Sequence, residues 1–356
     1  MKIIQVIPSF AFGGAEIMCE NLLYAQKRLG HDVIAVSLFD NHSPIAQRIE
    51  DSGIKIYFMG KKPGLDLSIK RKLKKLFKAE RPDAVHVHLN AIKYAAPAAK
   101  AAKVGKCVYT VHNVAEKDAP GFSKILNKYF FKHSMAMPVA LSETVQDSIA
   151  KLYGICKCRV PVVFNGIDLS KCIVKEDYSA TDSFELLHIG RFFEQKNHDG
   201  LLRAFAKVNQ KYPNTRLRLV GAGELKAQSE ELACELGIDH AVIFEGAQAN
   251  VYPYLAAADI FVLPSIYEGM PITLIEAMGS ALPIVATAVG GVPDMLTDRE
   301  NALLCQCDVD AVADACIELI ENEELRAQYG RAALEAADRF SAEKMVRSYT
   351  EIYSQK

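Results

Sequence analysis

The sequence predicts an α/β protein of two domains, each a parallel sheet wrapped by helices, and two observations carry that prediction. Short β-rich runs alternate with helical patterns through both halves of the 356 residues, as in sheets joined by crossover helices. A polar, irregular stretch at residues 169–183 separates the halves, which is typical of a domain linker.

In the first half, runs rich in β-branched and apolar residues predict strands at 3–7, 32–38, 55–58, 84–88, 107–111 and 137–141. Helical spacing follows most of them, for example at 14–29 and 142–153. The second half repeats the order, with strands predicted at 185–189, 216–220, 241–244, 260–263, 284–286 and 302–304. Its helices are predicted at 199–211, 226–236, 272–278 and 311–321, among others.

The domain boundary is predicted at the turn that ends in Asp168, so that the domains comprise residues 1–168 and 169–340. Residues 341–356 form a closing helix. Ser341 is its predicted N-cap, and Glu343 lies in the first turn.

The composition is that of a soluble globular protein, with 50% hydrophobic and 24% charged residues. No apolar run approaches the ~20 residues that span a bilayer, and the first residues lack the cleavage region of a signal peptide. The nine cysteines are scattered and odd in number, which favours reduced thiols in a cytoplasmic protein over a disulfide framework or a zinc site.

The charge is divided unevenly along the chain. Residues 1–170 contain 25 Lys and Arg against 14 Asp and Glu, whereas residues 171–356 contain 17 against 29. This division indicates an anionic partner for the first half, although chance variation between domains would also produce it. An anionic membrane surface fits better than nucleic acid, because the chain has no nucleic-acid-binding motif.

The densest basic segment runs from Lys61 to Arg81. Apolar residues recur at helical spacing between its cations, for example at Ile69, Leu73 and Phe77. An ordinary helix packed on its sheet explains the apolar stripe. A basic face lying on anionic lipid, at the inner face of the cell membrane, is the additional expectation.

The segment from Glu268 to Glu276, Glu-Gly-Met-Pro-Ile-Thr-Leu-Ile-Glu, predicts a tight loop that opens into a helix. Pro271 suits the first helical position, and the amides of Ile272, Thr273 and Leu274 would then be unpaired at the positive end of the helix dipole. Such an end binds phosphate, and Glu276 on the same face suits a ribose diol. Glu268 would meet a further polar group, so the segment favours a nucleotide-sugar. The alternative is a structural cap and a surface charge.

Three further motifs follow predicted strands. Gly13 and Gly14 open the first helix and leave amides free for a ligand, although a simple tight turn would explain them as well. Arg191 and Lys196 place two cations on one loop at a strand's carboxyl end, where open α/β sheets bind ligands. His112 ends another strand.

One histidine pair and one aspartate pair have the spacing of metal-binding motifs, and neither is interpreted as a metal site. His86 and His88 share one predicted strand and are expected to alternate across it. Asp308-x-Asp310 precedes a predicted helix, so that capping is the better interpretation.

The Glu268-x7-Glu276 spacing, the preceding Val262-Leu-Pro-Ser and the downstream Pro283-Ile-Val-Ala-Thr-Ala-Val-Gly-Gly resemble the retaining, two-domain glycosyltransferases of family 4, which have the GT-B fold. The resemblance covers nearly the whole chain. It implies two Rossmann-like domains around a cleft, with the helix at 341–356 crossing back to the first domain. No cofactor and no metal are implied, since cations and amides neutralise the leaving diphosphate.

The resemblance also implies roles for individual residues. Arg191 and Lys196 would hold the diphosphate, Glu268 the sugar and Glu276 the ribose, while His112 would lie against the donor sugar. The predicted catalytic residues are therefore His112, Glu268, Arg191 and Lys196. Donor contacts are expected from Gly14, Gly190, Gly223, Phe244, Glu245, Gly269, Met270, Ile272, Thr273, Leu274 and Glu276. The acceptor side would include Gly13, His88 and Asn113.

The expected function is retaining transfer of a sugar from a nucleotide-sugar, with UDP as the expected nucleotide, to a hydroxyl of a lipid-linked saccharide in surface polysaccharide synthesis. Two alternatives stay open. One is the same fold acting on a small soluble acceptor, and the other is a non-catalytic nucleotide-sugar-binding subunit.

Overall fold

The computed structural model describes residues 1–11, 13–119, 121–179 and 183–355. Their contacts divide the chain into two compact units, one formed by Met1–Ile167 with Phe340–Lys356 and the other by Asp168–Arg339. Each unit contains a six-stranded sheet, and every strand pair is parallel. The predicted fold class, α/β with two parallel sheets, is confirmed.

The sheet of the first unit has the strand order β3-β2-β1-β4-β5-β6. Its strands are β1 Lys2–Ile7, β2 Asp32–Ser37, β3 Lys55–Phe58, β4 Ala84–His88, β5 Lys106–Val111 and β6 Met137–Ala140. The helices between them are α1 Gly14–Arg28, α2 Pro44–Asp51, α3 Ser68–Glu80, α4 Ile92–Ala102, α5 Ala115–Asp118, α6 Phe122–Lys132 and α7 Glu143–Tyr153.

The sheet of the second unit has the order β12-β11-β10-β7-β8-β9. Its strands are β7 Glu185–Ile189, β8 Arg216–Val220, β9 Val242–Gly246, β10 Ile260–Leu263, β11 Ile284–Thr287 and β12 Leu303–Cys305. Its helices are α8 His198–Lys211, α9 Lys226–Glu235, α10 Tyr252–Ala257, α11 Ile272–Gly279, α12 Val309–Glu321 and α13 Glu323–Ala337. The chain returns to the first unit with α14, Ala342–Ser354.

Both sheets are covered on two faces, which is why their strands read as apolar runs rather than alternating ones. In β10 all four residues are buried, and in β1 every residue after Lys2 is buried. The first sheet departs from this pattern in buried polar side chains, at Gln5, His86, His88 and Thr110. A buried polar group requires a hydrogen-bond partner, and these side chains bond to one another in the first unit.

The segment predicted as a polar linker is packed against the second unit over its described part. Lys175 forms an ion pair with Asp259 at 3.0 Å, and the hydroxyl of the buried Tyr178 donates to the carbonyl of Ala281 at 2.7 Å. Residues 180–182 of that segment lie outside the described residues.

The helix α14 is joined to the first unit by backbone pairing. The amide of Ile167 donates to the carbonyl of Phe340 at 3.1 Å, and the amide of Ala342 donates to the carbonyl of Ile167 at 2.8 Å. The hydroxyl of Ser341 accepts from the amide of Lys344, as expected of an N-cap.

The side chains of Cys156 and Cys158 lie close together in the structure. A short 3₁₀ turn at Lys157–Arg159 brings their Cα atoms to 5.3 Å, within the range that a disulfide spans. Sequence spacing alone did not reveal this turn. No helix among the described residues has the length and apolar character that a membrane span requires.

Candidate functional site

The carboxylate of Glu268 is held on several sides within the second unit. Its side chain is only 5% exposed, and Oε1 lies 2.6 Å from Nζ of Lys196. The hydroxyl of Ser265 donates to the same oxygen at 2.7 Å, while Nε2 of Gln195 donates to Oε2 at 3.2 Å. The sequence predicted Glu268 and Lys196 as site residues from two separate motifs. In the structure they form an ion pair.

The backbone around Glu268 is fixed by two neighbouring loops. The amide of Ile266 donates to the carbonyl of Gln195 at 2.9 Å, and the amide of Gly291 donates to the carbonyl of Glu268 at 3.3 Å. Gly290 has φ +54°, and a Cβ added there would lie 1.8 Å from the carbonyl oxygen of Glu268. The Val-Gly-Gly segment after β11 therefore needs glycine at this position.

The helix α11 begins at Ile272, the first residue of the predicted range 272–278. Pro271 is its N-cap, with φ −71° and ψ 122°, rather than its first helical residue. The predicted free amide of Leu274 is corrected, because it donates to the carbonyl of Pro271 at 3.2 Å. The amides of Ile272 and Thr273 have no acceptor in the described part of the chain, so these two are the unpaired amides at the start of the helix.

Thr273 adds a polar group at this helix end. Its hydroxyl oxygen is buried and has no hydrogen-bond partner among the described residues. A buried polar atom without a partner is unfavourable. A bound anion at the helix N-terminus would supply the missing partner.

Glu276 lies one helical turn further on and is 7% exposed. Burial raises the pKa of its carboxyl group from 4.5 to about 8, and the nearby charge of Lys171 opposes that rise. At neutral pH the carboxyl group is therefore largely protonated, so that it offers both a donor and an acceptor.

The loop after β7 carries the predicted cation Arg191, which is exposed. Its guanidinium group stacks on the ring of Phe193 at 4.9 Å. Arg191 and Lys196 thus share a loop, as predicted, but only Lys196 pairs with Glu268.

Gly190 and Gly223 lie where two loops of the second unit touch. The amide of Gly190 donates to the carbonyl of Val220 at 3.0 Å. A Cβ at Gly223 would lie 2.4 Å from the carbonyl oxygen of Phe192. Both predicted donor residues therefore hold the loop that carries Arg191.

The other predicted donor residues have mixed surroundings. Phe244 is half-buried, with its ring centroid 6.1 Å from that of Phe192. The carboxylate of Glu245 pairs with Arg218, which also binds Glu185 at 2.7 Å. Gly269 and Met270 are buried.

In the first unit, His112 follows β5 and its side chain is partly exposed. Its amide donates to Oδ1 of Asp118 at 2.9 Å, and the hydroxyl of Tyr109 donates to Oδ2 at 2.6 Å. Burial lowers the pKa of His112 to about 3 and raises the pKa of Asp118 to about 6. Asn113 is also partly exposed, and its side-chain oxygen accepts from the amide of Val114.

Two histidine predictions are corrected. His88 has no exposed surface, so it does not itself face an acceptor. Its Nδ1 lies 3.0 Å from Nε2 of His112 instead. His86 and His88 share one face of β4, with ring centroids 4.4 Å apart, because side chains two residues apart on a strand point the same way.

Gly13 is the N-cap of α1, with extended backbone at φ −176°, and Gly14 is the first helical residue. Phe12 of the same motif lies outside the described residues. A Cβ at Gly14 would meet nothing within 4 Å among the described residues.

Sequence reasoning missed Gln195 and Ser265, which complete the hydrogen bonds of Glu268. Their positions in the sequence could have indicated them, since Gln195 is next to Lys196 and Ser265 is three residues before Glu268. It also missed Gln5 in strand β1, where one polar residue among buried apolar residues marks a buried hydrogen-bonding group.

The Asp308 motif is a helix cap, as predicted, because Oδ1 accepts from the amide of Ala311 at 2.9 Å. No cluster of three or more His, Cys, Asp or Glu residues able to hold a metal ion occurs in the described residues.

Comparison with known proteins connects these features to a family. Residues 173–336 match the glycosyl transferases group 1, and residues 12–171 match glycosyltransferase family 4. The chain is 30% identical over 310 residues to the N-acetyl-alpha-D-glucosaminyl L-malate synthase of Bacillus anthracis, which covers 82% of this chain and 79% of that protein.

Two other similar proteins are named for a lipid-linked acceptor and for a nucleotide. One is the N-acetylgalactosamine-N,N'-diacetylbacillosaminyl-diphospho-undecaprenol 4-alpha-N-acetylgalactosaminyltransferase of Campylobacter jejuni, 27% identical over 64% of this chain and 63% of its own. The other is the solved structure of Anabaena HepE in complex with UDP and glucose. It matches with a TM-score of 0.88, at 19% identity, over 100% of both chains.

Proposed function

Because the chain belongs to glycosyltransferase family 4 and has the family's GT-B fold, we propose that it moves a sugar, with retention of configuration, from a UDP-sugar to a hydroxyl of a saccharide acceptor. The observation that carries the donor assignment is the start of α11. Two unpaired amides, a buried hydroxyl and the buried Glu276 lie within its first two turns.

The donor roles follow from charge and hydrogen bonding. The amides of Ile272 and Thr273 bind a phosphate at the positive end of the helix. Glu276 binds the ribose diol, because a carboxyl group accepts from hydroxyls. Arg191 and Lys196 neutralise the diphosphate as it leaves, and Glu268 binds sugar hydroxyls. UDP is favoured because HepE was solved with UDP and glucose.

The proposed step breaks one bond and forms another on the same face of the sugar. The bond between the anomeric carbon and the phosphate oxygen breaks, and the electron pair stays on the diphosphate. The acceptor hydroxyl oxygen bonds to the anomeric carbon, and its proton passes to a phosphate oxygen. Cations and amides stabilise the charge that develops on the leaving group, so no metal is required.

A lipid-linked saccharide is the proposed acceptor, since the Campylobacter jejuni relative is named for one. The surface of α3 supports a location at anionic lipid. Ile69, Leu73 and Phe77 are buried, whereas most of the helix's cations are exposed. Just before the helix, Leu65 and Leu67 are 73% and 68% exposed.

A donor panel tests the proposed activity. The full chain is incubated with UDP-, GDP- and ADP-sugars, with and without EDTA, and free nucleotide is measured. Slow release from a UDP-sugar that EDTA leaves unchanged is expected. Release that stops with EDTA would overturn metal independence, and release from a GDP- or ADP-sugar alone would overturn the UDP assignment. Binding of no nucleotide-sugar at all would favour the non-catalytic alternative.

Vesicle sedimentation tests the basic face. We expect the chain to bind vesicles of phosphatidylglycerol and phosphatidylcholine, and Lys70→Glu/Arg71→Glu to reduce binding by about 30-fold or more, at ~1 kcal/mol per cation. Lys344→Glu/Arg347→Glu on α14 makes the same charge change on another exposed helix. Equal loss in both variants would contradict a specific membrane face.

A small soluble acceptor is the second candidate, because the Bacillus anthracis relative is named as an L-malate synthase. Transfer to L-malate or another hydroxy acid, by a chain that does not bind vesicles, would favour it.

A further inference from the structure

The first unit contains a buried chain of hydrogen bonds that ends at His112. It begins on α14 and passes through the interior of the sheet. The imidazole rings of His86 and His88 lie 4.4 Å apart, and those of His88 and His112 lie 5.2 Å apart. Among the described residues, no carboxylate bonds to any of these three imidazole rings, so their closeness needs an explanation other than charge pairing.

Gln5 sets the direction of donation along this chain of hydrogen bonds. Nε2 of His88 lies 2.8 Å from Oε1 of Gln5. An amide oxygen has no proton, so His88 must donate from Nε2. A neutral imidazole has one N–H group, which leaves Nδ1 of His88 as an acceptor. Nε2 of His112, at 3.0 Å from that nitrogen, must therefore be the donor.

The same direction of donation continues from Gln5 through further partners. Its Nε2 donates to Oε1 of Gln26 at 3.1 Å, and Nε2 of Gln26 donates to the hydroxyl of Tyr353 at 3.3 Å. Tyr353 then donates to Nδ1 of His86 at 2.7 Å. Nε2 of His86 is left to donate to the hydroxyl of Thr110 at 2.7 Å.

The histidines are neutral at physiological pH. Burial is the main cause that lowers the pKa values of His86 and His88 well below 6.5, and neighbouring imidazoles lower them further. Burial alone lowers the pKa of His112. One proton per ring is what the hydrogen-bond chain requires.

We propose that Gln5 and His88 are positioning residues that hold His112 as the Nε2–H tautomer, with an unprotonated Nδ1 that accepts a hydrogen bond from a substrate hydroxyl. Nδ1 of His112 has no partner among the described residues, and the ring is partly exposed. The hydroxyl ligand rests on the proposed function, whereas the tautomer rests on the hydrogen bonds alone.

In the competing arrangement, every donor and acceptor along this chain of hydrogen bonds exchanges its role. If both glutamine amides were turned by 180°, His88 would donate from Nδ1 and His112 would carry its proton on Nδ1. Its exposed nitrogen would then be a donor. The two arrangements place the proton of His112 on opposite nitrogens, so that one spectrum separates them.

Long-range ¹H–¹⁵N correlation spectra of the full chain, labelled with ¹⁵N-histidine, give the tautomer directly. At pH 7.5 we expect Nε2 of His112 to have the shift of a protonated nitrogen and Nδ1 that of an unprotonated one. His112→Gln identifies the signal by its disappearance. A protonated Nδ1, or rapid averaging of the two tautomers, would overturn the proposal.

Two variants separate positioning from folding. Gln5→Leu removes the acceptor, so we expect a mixture of His112 tautomers and a lower kcat with little change in KM for the donor. Tyr349→Phe alters the far end, where Tyr349 bonds to Thr110 at 2.7 Å, and should leave the tautomer unchanged. The expected tautomer without turnover of any donor would leave the positioning intact and count against the proposed function.

Discussion

Lys196 and Glu268 form a buried ion pair, with Nζ 2.6 Å from Oε1 and side-chain exposures of 16% and 5%. The charge of Lys196 is thus paired with a carboxylate. It first holds the carboxylate that we assign to the sugar, and Ser265 and Gln195 complete the arrangement. The pair therefore joins the proposed sugar and diphosphate contacts in one group.

Breaking this pair should destabilise the second unit. Lys196→Met leaves a buried carboxylate without its cation, at an expected loss of about 3 kcal/mol in the free energy of unfolding. Adding Glu268→Gln removes the isolated charge and should restore most of that loss. Urea unfolding of the two single variants and the double variant measures the coupling. Additive losses would show that the pair contributes nothing.

Gly290→Ala should lower the free energy of unfolding by more than the cost of placing alanine at a positive φ. The substitution introduces both a positive φ for alanine and a Cβ at 1.8 Å from the carbonyl oxygen of Glu268. Gly237→Ala is the matched control, with φ +70° and nothing within 4 Å. We expect a loss of about 1 kcal/mol in the control and at least about 2 kcal/mol more in Gly290→Ala, measured by urea unfolding. Equal losses would contradict the close approach.

Glu276→Gln should stabilise the protein increasingly as pH rises. Burial raises the pKa of Glu276 from 4.5 to about 8, so between these values the folded state keeps a proton that the unfolded state releases. The wild type therefore loses about 1.4 kcal/mol per pH unit there, and Gln does not. Between pH 6 and pH 8 the variant should gain about 2.3 kcal/mol relative to wild type in urea unfolding. A constant difference would place the carboxyl group in a wet environment.

His198→Phe should remove an acid sensitivity of the second unit. His198 stacks on Phe192 at 3.9 Å, and both its ring nitrogens are buried without partners among the described residues. Burial lowers its pKa to about 2, so the unfolded state binds the extra proton below pH 6.5, and stability falls as pH falls. The variant lacks that loss.

The size of this effect follows from the unfolded pKa alone. Relative to wild type, His198→Phe should gain about 1.3 kcal/mol between pH 7.5 and pH 5.5, measured by urea unfolding at both values. A gain that does not change with pH would mean that His198 takes up a proton in the folded state.

The sequence was sufficient for elements whose signal is local. All twelve strands were predicted within two residues of their bounds, because parallel strands buried on both faces read as apolar runs between turns. The loop and helix from Glu268 to Glu276 were also predicted, because their signal is local to those residues.

Features that depend on distant partners could not be predicted from the sequence. The pairing of Lys196 with Glu268 joins loops after β7 and β10, and the bond from His88 to Gln5 joins β4 to β1. The alternation expected of His86 and His88 was wrong because positions two apart on a strand share a face. The amide of Leu274 donates to the carbonyl three residues earlier, at Pro271, and the helix pattern did not indicate this bond.

The most direct test of the donor site is a cycle of UDP affinities measured by calorimetry. Wild type and Glu276→Ala are titrated with UDP and with 2',3'-dideoxy-UDP, and Glu300→Ala, an exposed glutamate of the same unit, is the control. We predict that UDP binds Glu276→Ala about tenfold or more weakly than wild type, as expected for a hydrogen bond to an acidic group. The two nucleotides should bind Glu276→Ala equally. Equal UDP affinity in wild type and Glu276→Ala would contradict a ribose site at Glu276.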